Sequence, residues 1–323
     1  MQDIVTCLQF LRKVVPSFRG DASKITIAGQ SSGANLIRAL LATPSASSLF
    51  QSAILHSDPM VSNLCAGGGL LVSNTSKDFG FLSINAQSKL QAYFNEQVNC
   101  SSTDTSCINS LSLSAVLSAS DMLFNNGVNI DPCATQEEPM RPVHDGNLIT
   151  STLDSTTPFP QVSKPLIVSN VKDEAGPAIY GLFTDPMSKS LYSAVVHAAF
   201  EEPRATNVLE SPYYQVPVLA DGQDADARVE LEKMGSDQVW RCPTWTFARS
   251  WIRHGGDAFV AMYTVGATYP DNQGIPFCTR RGSVCHEDDI EIVVCHSNHW
   301  ACSLSLMKCS SAQSSILLQI SCP

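Results

Sequence analysis

Residues 24–43 read KITIAGQSSGANLIRALLAT, and this stretch decides the fold. It begins with apolar and β-branched residues that are typical of a short buried strand. After a glycine, apolar residues recur at helical spacing as far as Leu41, and Pro44 follows them. The pattern predicts a strand, a tight turn and a helix with no loop between them.

Residues 29–33 of this turn read GQSSG and fit the Gly-x-Ser-x-Gly motif. In that motif a strained strand-to-helix turn exposes the serine hydroxyl, and the flanking glycines remove side chains that would clash. We therefore predict that Ser31 is a nucleophile, with the backbone N–H of Ser32 and the start of the helix stabilising an oxyanion. The alternative is that Ser31 only caps the helix.

Further strand and helix patterns alternate along the chain. The segments QSAILHS (51–57), KPLIVSN (164–170) and AFVAMYTV (258–265) have the composition of buried parallel strands. Helical patterns occupy residues 3–15, 85–97, 110–124, 188–200 and 236–254. Strands separated by helical crossovers predict an α/β fold built on a mostly parallel sheet that is flanked by helices.

The composition excludes several functional classes. The 323 residues include 20 Lys and Arg against 30 Asp and Glu, which gives a formal net charge of -10 without blocks of like charge. We expect no nucleic-acid partner, because binding one needs clustered cations. The longest apolar runs are far shorter than the roughly 20 residues that cross a bilayer, so no membrane span is expected. No pattern predicts a cofactor.

Cysteines and glycosylation sequons indicate an oxidising compartment. The chain has 12 Cys and carries Asn-x-Ser/Thr sequons at Asn74 and Asn99. Residues 1–20 form an amphipathic stretch that lacks the charged, apolar and small-residue order of a signal peptide. We expect either an intracellular protein or a secreted one whose original start is missing from this sequence.

Residues 23–58 (SKITIAGQSSGANLIRALLATPSASSLFQSAILHSD) resemble the nucleophile region of type-B carboxylesterases, the family that includes cholinesterases and fungal lipases. RPVHDGNLI at 141–149 and DQVWRCPTWTFAR at 237–249 resemble two further segments of that family, in the family's order. The resemblance implies an α/β-hydrolase fold across residues 1–294 that lacks the first strands of the family's sheet. It also implies a secreted, extracellular protein.

The same resemblance implies a catalytic triad. KPLIVSNVKDEAG at 164–176 is similar to the segment that carries the family's acid, and VCHEDDIEIVV at 284–294 is similar to the one that carries its base. The matching positions are Glu174 and His286, which follow Ser31 in the family's order. The implied activity is hydrolysis of small-molecule or lipid carboxylic esters through an acyl-enzyme.

Other roles for these residues stay open at the level of sequence. Asp173 and Asp288 are rival candidates for the acid, although Asp288 lies two residues from His286 and is expected to face away from it. Taken singly, Glu174 also fits a surface carboxylate, and His286 also fits a solvated loop residue.

Two cysteine pairs belong to the same resemblance. Cys100 and Cys107 resemble a short disulfide loop that is common in the family. Cys278 and Cys285 bracket the segment just before His286, where a bridge would limit the motion of the base. The alternative is that these cysteines are buried free thiols.

Departures from the family lower the expected activity. Gln30 stands where the family usually has Glu. No Gly-rich loop precedes Ser31, although in the family such a loop donates two oxyanion N–H groups, and losing one donor lowers rates on the order of 10² to 10³. Without earlier strands, the Ser31 strand is also expected to expose an apolar edge. The alternatives to an active esterase are a catalytically impaired fragment and a non-enzymatic, cholinesterase-like binding module.

Residues 295–323 read CHSNHWACSLSLMKCSSAQSSILLQISCP and do not resemble the family. The segment contains four Cys and no Asp or Glu. We predict an irregular tail outside the catalytic domain, of the kind that a mis-spliced gene model produces. A metal site is a weaker alternative, since zinc ligands are usually paired across a longer loop than the one between these residues. Its ligands would be Cys295, His296, His299 and Cys302.

Overall fold

The computed structural model describes residues 1–60, 81–131, 139–153, 158–200 and 202–294. The strands in these ranges are β1 (Thr26–Gln30), β2 (Ser52–His56), β3 (Leu82–Ser83), β4 (Val143–His144), β5 (Leu166–Val171) and β6 (Ala258–Tyr263). Four of them form a parallel sheet in the order β1-β2-β5-β6, and β3 pairs with β4 separately. The predicted parallel sheet is confirmed.

Helices flank this sheet. In the described ranges they are α1 (Gln2–Val14), α2 (Ser32–Leu41), α3 (Ile84–Gln97), α4 (Thr105–Ser110), α5 (Leu113–Ile130), α6 (Gly176–Leu182), α7 (Lys189–Ala199), α8 (Arg204–Glu210), α9 (Arg228–Ser236), α10 (Cys242–Arg253) and α11 (Ile290–Val294). A π-helical segment, Asp237–Arg241, joins α9 to α10. Short 3-10 turns occur at Val15–Phe18, Pro44–Ala46 and Pro270–Gly274.

The register of the sheet brings three strand ends to one edge. Gln30 of β1 lies opposite His56 of β2, and His56 lies opposite Ser169 of β5. Parallel strands present their carboxyl ends on the same edge, and ligand sites of open α/β sheets form there. The segments that carry Ser31 and Glu174 both leave the sheet at this edge.

The main hydrophobic core lies between the sheet and helices α1, α2 and α10. It includes Leu8 of α1, Leu40 of α2, Leu55 of β2 and Trp251 of α10. Seven of the ten residues of α2 are buried, which explains why its sequence is more continuously apolar than that of a surface helix. The helix that follows Ser31 is therefore fixed by the core.

A buried ion pair also fixes α2. Arg38 of α2 places Nε 2.7 Å from Oδ2 of Asp58, which follows β2, and the two side chains are 0% and 1% exposed. Removing one partner of such a pair leaves an uncompensated buried charge and costs about 3 to 5 kcal/mol. The pair therefore ties α2, which follows the Ser31 turn, to the segment after β2.

Two further cores hold the outer helices. One lies among α7, α8 and α9, around Tyr192, Val196 and Leu231. The other joins α3 to α5 through Leu90 and Leu123. Neither core includes residues of the central sheet.

Each of the four predicted strands begins and ends within two residues of its expected position. The burial of β6 differs from the prediction, because Phe259 is 59% and Met262 is 51% exposed. In the described chain β6 lies at the edge of the sheet and pairs with β5 alone, so the prediction of a buried strand is wrong there. β1 lies at the other edge, with Thr26 and Ala28 exposed.

The helix predictions located the longer helices and missed the shorter ones. α5 begins at Leu113 instead of 110, because the Ser112 side chain accepts a hydrogen bond from the Ala115 N–H and caps the helix there. The pattern over 236–254 is divided between the π-helical segment and α10. Helices α4, α6, α8 and α9 have six to nine residues, which is too short to show a helical period in sequence.

No helix within the described ranges is both long and apolar enough to cross a membrane. Several sequence predictions fall outside these ranges. They concern the sequon at Asn74, the tail 295–323 and the metal ligands proposed in it, Cys295, His296, His299 and Cys302.

Candidate active site

Ser31 occupies the sharp turn between β1 and α2. Its backbone has φ 54° and ψ -122°, a strained conformation for a residue other than glycine. Its N–H donates to the His56 carbonyl at 2.9 Å, and its own carbonyl accepts from the Asn35 N–H at 3.0 Å. The Ser31 side chain makes no capping hydrogen bond to α2, so the alternative of a simple helix cap is not supported.

The two glycines of the motif have different roles. A Cβ on Gly29 would lie 2.6 Å from the backbone of Gly33, so the close approach of β1 and α2 requires glycine at position 29. A Cβ on Gly33 would meet no atom of the described residues within 4 Å. The prediction that both glycines prevent a clash is therefore right for Gly29 and wrong for Gly33.

Glu174 and His286 are hydrogen-bonded although 112 residues separate them in the chain. His286 Nδ1 lies 2.6 Å from Glu174 Oε2, and the other carboxylate oxygen accepts from the Val171 N–H at 2.8 Å. The side chain of Glu174 is 0% exposed and that of His286 is 16% exposed, so neither is a solvated surface group. Burial lowers the pKa of His286, but the hydrogen bond and charge of Glu174 outweigh it, and the net pKa is raised.

The second ring nitrogen of His286 faces Gln30. His286 Nε2 lies 3.2 Å from the side-chain nitrogen of Gln30, the residue before Ser31. Within the described ranges, no hydrogen bond joins the Ser31 hydroxyl to His286. The structure thus brings Ser31, Glu174 and His286 to one edge of the sheet, with His286 bonded to Gln30.

The loops that carry Glu174 and His286 are bound to each other. The Asp173 N–H donates to the Val284 carbonyl, and the Val284 N–H donates to Asp173 Oδ2, both at 2.8 Å. A disulfide joins Cys278 to Cys285, directly before His286. These contacts fix the loop that carries His286 against the loop that carries Glu174.

The rival acid Asp288 has a structural role in the same loop. Its carboxylate accepts from the Cys285 N–H at 2.7 Å and from the Tyr269 N–H at 2.8 Å. Asn272 donates to Asp288 Oδ1 at 2.9 Å and also to the His286 carbonyl at 2.7 Å. Asp288 therefore points to backbone groups of its own loop, as its spacing from His286 predicted.

Ser236, at the end of α9, anchors the backbone next to Glu174. The Ala175 N–H donates to Ser236 Oγ at 2.9 Å, and Ser236 Oγ–H donates to Glu232 Oε1 at 2.5 Å. Burial raises the pKa of Glu232 to about 7. No sequence pattern predicted this network. The one trace of it in the sequence is the spacing of four residues, which places Glu232 and Ser236 on one face of a helix.

Trp240 is an aromatic neighbour of His286. It lies in the π-helical segment, and its ring centroid is 5.4 Å from that of His286. Its indole N–H donates to the Ser57 carbonyl at 3.1 Å, which fixes the ring orientation. π-Helical turns are frequent at functional sites, but they leave no clear mark in sequence.

A second buried group of polar side chains lies near Glu174. His56 Nδ1 is 2.7 Å from Ser169 Oγ and 3.6 Å from Asp289 Oδ2. Burial lowers the pKa of His56, whereas burial and the charge of Glu174 raise the pKa of Asp289 to about 6. Neither carboxylate oxygen of Asp289 has a hydrogen-bond donor among the described residues.

The other cysteines of the described ranges either form one further disulfide or are free. Cys100 and Cys107 form the other disulfide of the described ranges, beside the exposed Asn99. Cys7 and Cys242 are free and exposed. No group of three or more potential metal ligands occurs in the part of the chain that the structure describes.

Comparison with known proteins identifies the family to which this site belongs. The family model described as "Carboxylesterase family" matches residues 1–301. The chain belongs to the carboxylesterase family. A PNB esterase of solved structure has a similar fold, with a TM-score of 0.60 at 18% identity, over 90% of this chain and 53% of that one. The predicted α/β-hydrolase fold is confirmed.

Two relatives of this family member are eukaryotic. The cAMP-regulated D2 protein of Dictyostelium discoideum is 28% identical over 243 residues, which are 75% of this chain and 40% of the relative. Cholinesterase 1 of Branchiostoma lanceolatum is 25% identical over 269 residues, 78% of this chain and 70% of the relative. This chain therefore spans less than half the length of the first relative.

Proposed function

We propose that this carboxylesterase family member hydrolyses carboxylic esters, with Ser31 as nucleophile, His286 as base and Glu174 as acid. The observation that carries the proposal is the 2.6 Å bond between His286 and Glu174 at the sheet edge where Ser31 lies. A buried acid bonded to an imidazole, near a serine in a strained turn, is the arrangement that activates serine nucleophiles.

The reaction would proceed in two halves. Ser31 Oγ attacks the ester carbonyl carbon while His286 Nε2 accepts the hydroxyl proton. The tetrahedral intermediate then loses the alcohol, which takes this proton as its bond to the acyl carbon breaks. Water attacks the acyl-enzyme by the same route and releases the carboxylic acid and Ser31. Glu174 holds the Nδ1–H tautomer and stabilises the imidazolium.

The oxyanion of the intermediate would be bound by the backbone N–H of Ser32. Ser32 is the first residue of α2, so its N–H has no acceptor within the helix and lies at the positive end of the helix dipole. One oxyanion donor contributes on the order of 10² to 10³ in rate, so this N–H would be a major part of the proposed site.

Small-molecule or lipid esters with an apolar part fit this site best. Trp240 gives the site an aromatic wall, since its ring lies 5.4 Å from that of His286. Apolar and aromatic walls with few polar groups are typical of small-molecule sites. The matched relatives include a cholinesterase and a PNB esterase, both named as esterases.

A second candidate function is a catalytically silent member of the family that acts as a binding module. The observation that favours it is the bond of His286 Nε2 to Gln30, together with the absence of a bond to Ser31 in the described chain. A base whose accepting nitrogen is occupied does not activate the serine in that arrangement.

Labelling with a fluorophosphonate probe separates the two candidates, because such probes react with activated serines. We expect one adduct, located on Ser31 by mass spectrometry and lost in Ser31→Ala and His286→Ala. Ser23→Ala, which changes an exposed serine before β1, is the matched control and should label as the wild type does. A folded wild-type chain that remains unlabelled would contradict the esterase proposal and favour the binding module.

The catalytic unit proposed from the sequence, residues 1–294, has a direct test. A chain that ends at Val294 is expected to fold and to label at the wild-type rate, because Ser31, Glu174 and His286 and the contacts that hold them lie before this point. Loss of labelling in a soluble truncated chain would show that residues 295–323 belong to the catalytic domain.

Secretion is proposed from the two disulfides, which are compatible with an extracellular protein. Asn99 is exposed, so its sequon is open to glycosylation in the secretory route. After fusion to a secretion signal, the expected result is a glycosidase-sensitive mass that decreases in Asn99→Gln. An unchanged mass in this variant would exclude a glycan at Asn99.

A further inference from the structure

Gln30 is the last residue of β1, and its side chain reaches the base that the proposed mechanism uses. Gln30 Nε2 and His286 Nε2 are 3.2 Å apart, and 256 residues separate them in the chain. Two nitrogens form a hydrogen bond only when one donates and the other accepts. The amide nitrogen of Gln30 only donates, so this contact is a hydrogen bond only when His286 Nε2 carries a lone pair and no proton.

The bond to Glu174 fixes that protonation. His286 Nδ1 lies 2.6 Å from Glu174 Oε2, and a carboxylate only accepts, so the neutral ring carries its proton on Nδ1. Nε2 of the neutral ring then has a free lone pair, and the Gln30 amide presents its NH2 group to it. Gln30 thus donates to the lone pair that would receive the Ser31 proton.

We propose that Gln30 is a positioning residue that holds His286 in its neutral, proton-accepting form and competes with the Ser31 hydroxyl for Nε2. The inference rests on the proposed function. In the resting arrangement Gln30 occupies Nε2, and the hydroxyl of Ser31 makes no capping bond to α2. Attack on a substrate then requires an exchange of partners, in which the amide turns away and the Ser31 O–H takes its place.

In the observed arrangement the amide favours the neutral form of the base, whereas a carboxylate would favour the protonated form. The NH2 group of Gln30 donates to the lone pair on Nε2 of the neutral ring. Glu at this position would accept from the protonated ring and repel the lone pair of the neutral ring. Compared with Glu at this position, Gln30 therefore keeps His286 neutral down to a lower pH.

The charged groups around His286 define the background for this effect. Burial lowers the pKa of His286, while Glu174, Glu287 and Asp289 raise it. Gln30 faces Nε2 as an uncharged donor, which favours the neutral ring. Replacing it with Glu removes this donor and adds an anion, so both changes raise the pKa of His286.

Nitrogen-15 NMR of the full chain labelled with ¹⁵N-histidine tests the inference. The signals of His286 are assigned by their loss in His286→Gln. We expect the Nδ1–H tautomer in the wild type. Gln30→Met, which keeps the length but removes the donor, should raise the titration midpoint by about half a unit, and Gln30→Glu by about one unit. Gln223→Glu adds the same charge on an exposed loop and should leave the midpoint unchanged.

An Nε2–H tautomer in the wild type would overturn the inference, as would equal midpoints in the wild type and Gln30→Met. Neither the tautomer nor the titration midpoint of His286 depends on catalytic activity. The tautomer is read from the wild type, without a variant at position 30. The measurement therefore decides the role of Gln30 even if Ser31 proves unreactive towards the probe. Where Ser31 does react, Gln30→Met should label faster than the wild type above the midpoint, and equal or slower labelling would contradict competition for Nε2.

Discussion

Gly29 and Gly33 flank Ser31 evenly in sequence, but their surroundings differ. The backbone at Gly33 leaves no room for a Cβ on Gly29, whereas a Cβ on Gly33 would have open space within the described residues. We expect Gly29→Ala to force β1 and α2 apart and to cost about 1 to 3 kcal/mol in the free energy of unfolding. Gly33→Ala should be neutral or stabilising by up to about 1 kcal/mol, because Ala favours the helix.

Urea denaturation of both variants measures this difference. Equal losses of stability in Gly29→Ala and Gly33→Ala would mean that the close contact is not what requires glycine at the turn. The open space at Gly33 also predicts that Gly33→Ala folds normally, so any change in its labelling rate reports on the site and not on folding.

Asp289 makes the stability of the chain depend on pH. Its pKa is raised from 3.8 to about 6, mainly by burial and then by Glu174, so the native state binds a proton more tightly than the unfolded state. The stabilisation from this proton is complete below pH 3.8 and is lost as the pH rises through about 6. Above that pH the folded chain holds a buried carboxylate that lacks a donor in the described chain.

Asp289→Asn is therefore expected to stabilise the chain at pH 8. The gain should be about 1 to 3 kcal/mol, and most of it should be gone at pH 4, where the folded wild type is protonated and the unfolded state is about half protonated. Asp185→Asn removes the same charge from an exposed position and serves as the control. Urea denaturation at the two pH values measures the effect, and a gain that is the same at both would contradict the proton linkage.

At the scale of elements, α9 supports the acid loop through a single side chain. Ser236 accepts from the Ala175 N–H and donates to Glu232, so its hydroxyl lies between the helix and the residue after Glu174. Removing it leaves a buried N–H and a buried carboxyl group without this partner. Such unpaired groups cost about 1 to 3 kcal/mol each.

We expect Ser236→Ala to lower both the stability of the chain and the rate of probe labelling at Ser31. Ser236→Thr keeps the hydroxyl and is the matched control, which should retain most of the labelling. The readout that separates positioning from folding is the pH dependence of labelling, because a displaced Glu174 lowers the pKa of His286. An unshifted pH profile in Ser236→Ala would assign Ser236 to stability alone.

At the scale of the whole molecule, two disulfides of equal loop length lie in different regions. Cys100–Cys107 and Cys278–Cys285 each span seven residues, the first beyond α3 and the second beside His286. The chain-entropy account assigns each about 2 kcal/mol of stability. Their effects on the candidate site should differ, because only the second holds the loop of the base.

Replacing both cysteines of a pair with Ser tests this expectation. Both double variants should lose a similar free energy of unfolding, about 2 kcal/mol. Only Cys278→Ser/Cys285→Ser should also slow the labelling of Ser31, because His286 follows Cys285 directly. Equal labelling rates in the two double variants would show that the hydrogen bonds of Asp173 and Asp288 hold the base loop without the disulfide.

Much of the fold could be predicted because its signals are local. The strand, turn and helix over residues 26–41 depend on apolar periodicity and on a glycine within a few residues, and β2 and β5 contain the short apolar runs AIL and LIV. Burial could not be predicted in this way. β6 (AFVAMY) is more apolar than β5 (LIVSNV), yet β6 is the more exposed strand because it lies at the sheet edge.

The sequence by itself determined the strained Ser31 turn, the parallel sheet and the candidates Glu174 and His286, because short-range order and the resemblance to carboxylesterases specify each of them. Only the tertiary structure decided what these residues touch. The bond of His286 to Glu174 spans 112 residues and its bond to Gln30 spans 256. Contacts at such separations are set by the packing of the whole sheet and its helices, and no local pattern encodes that packing.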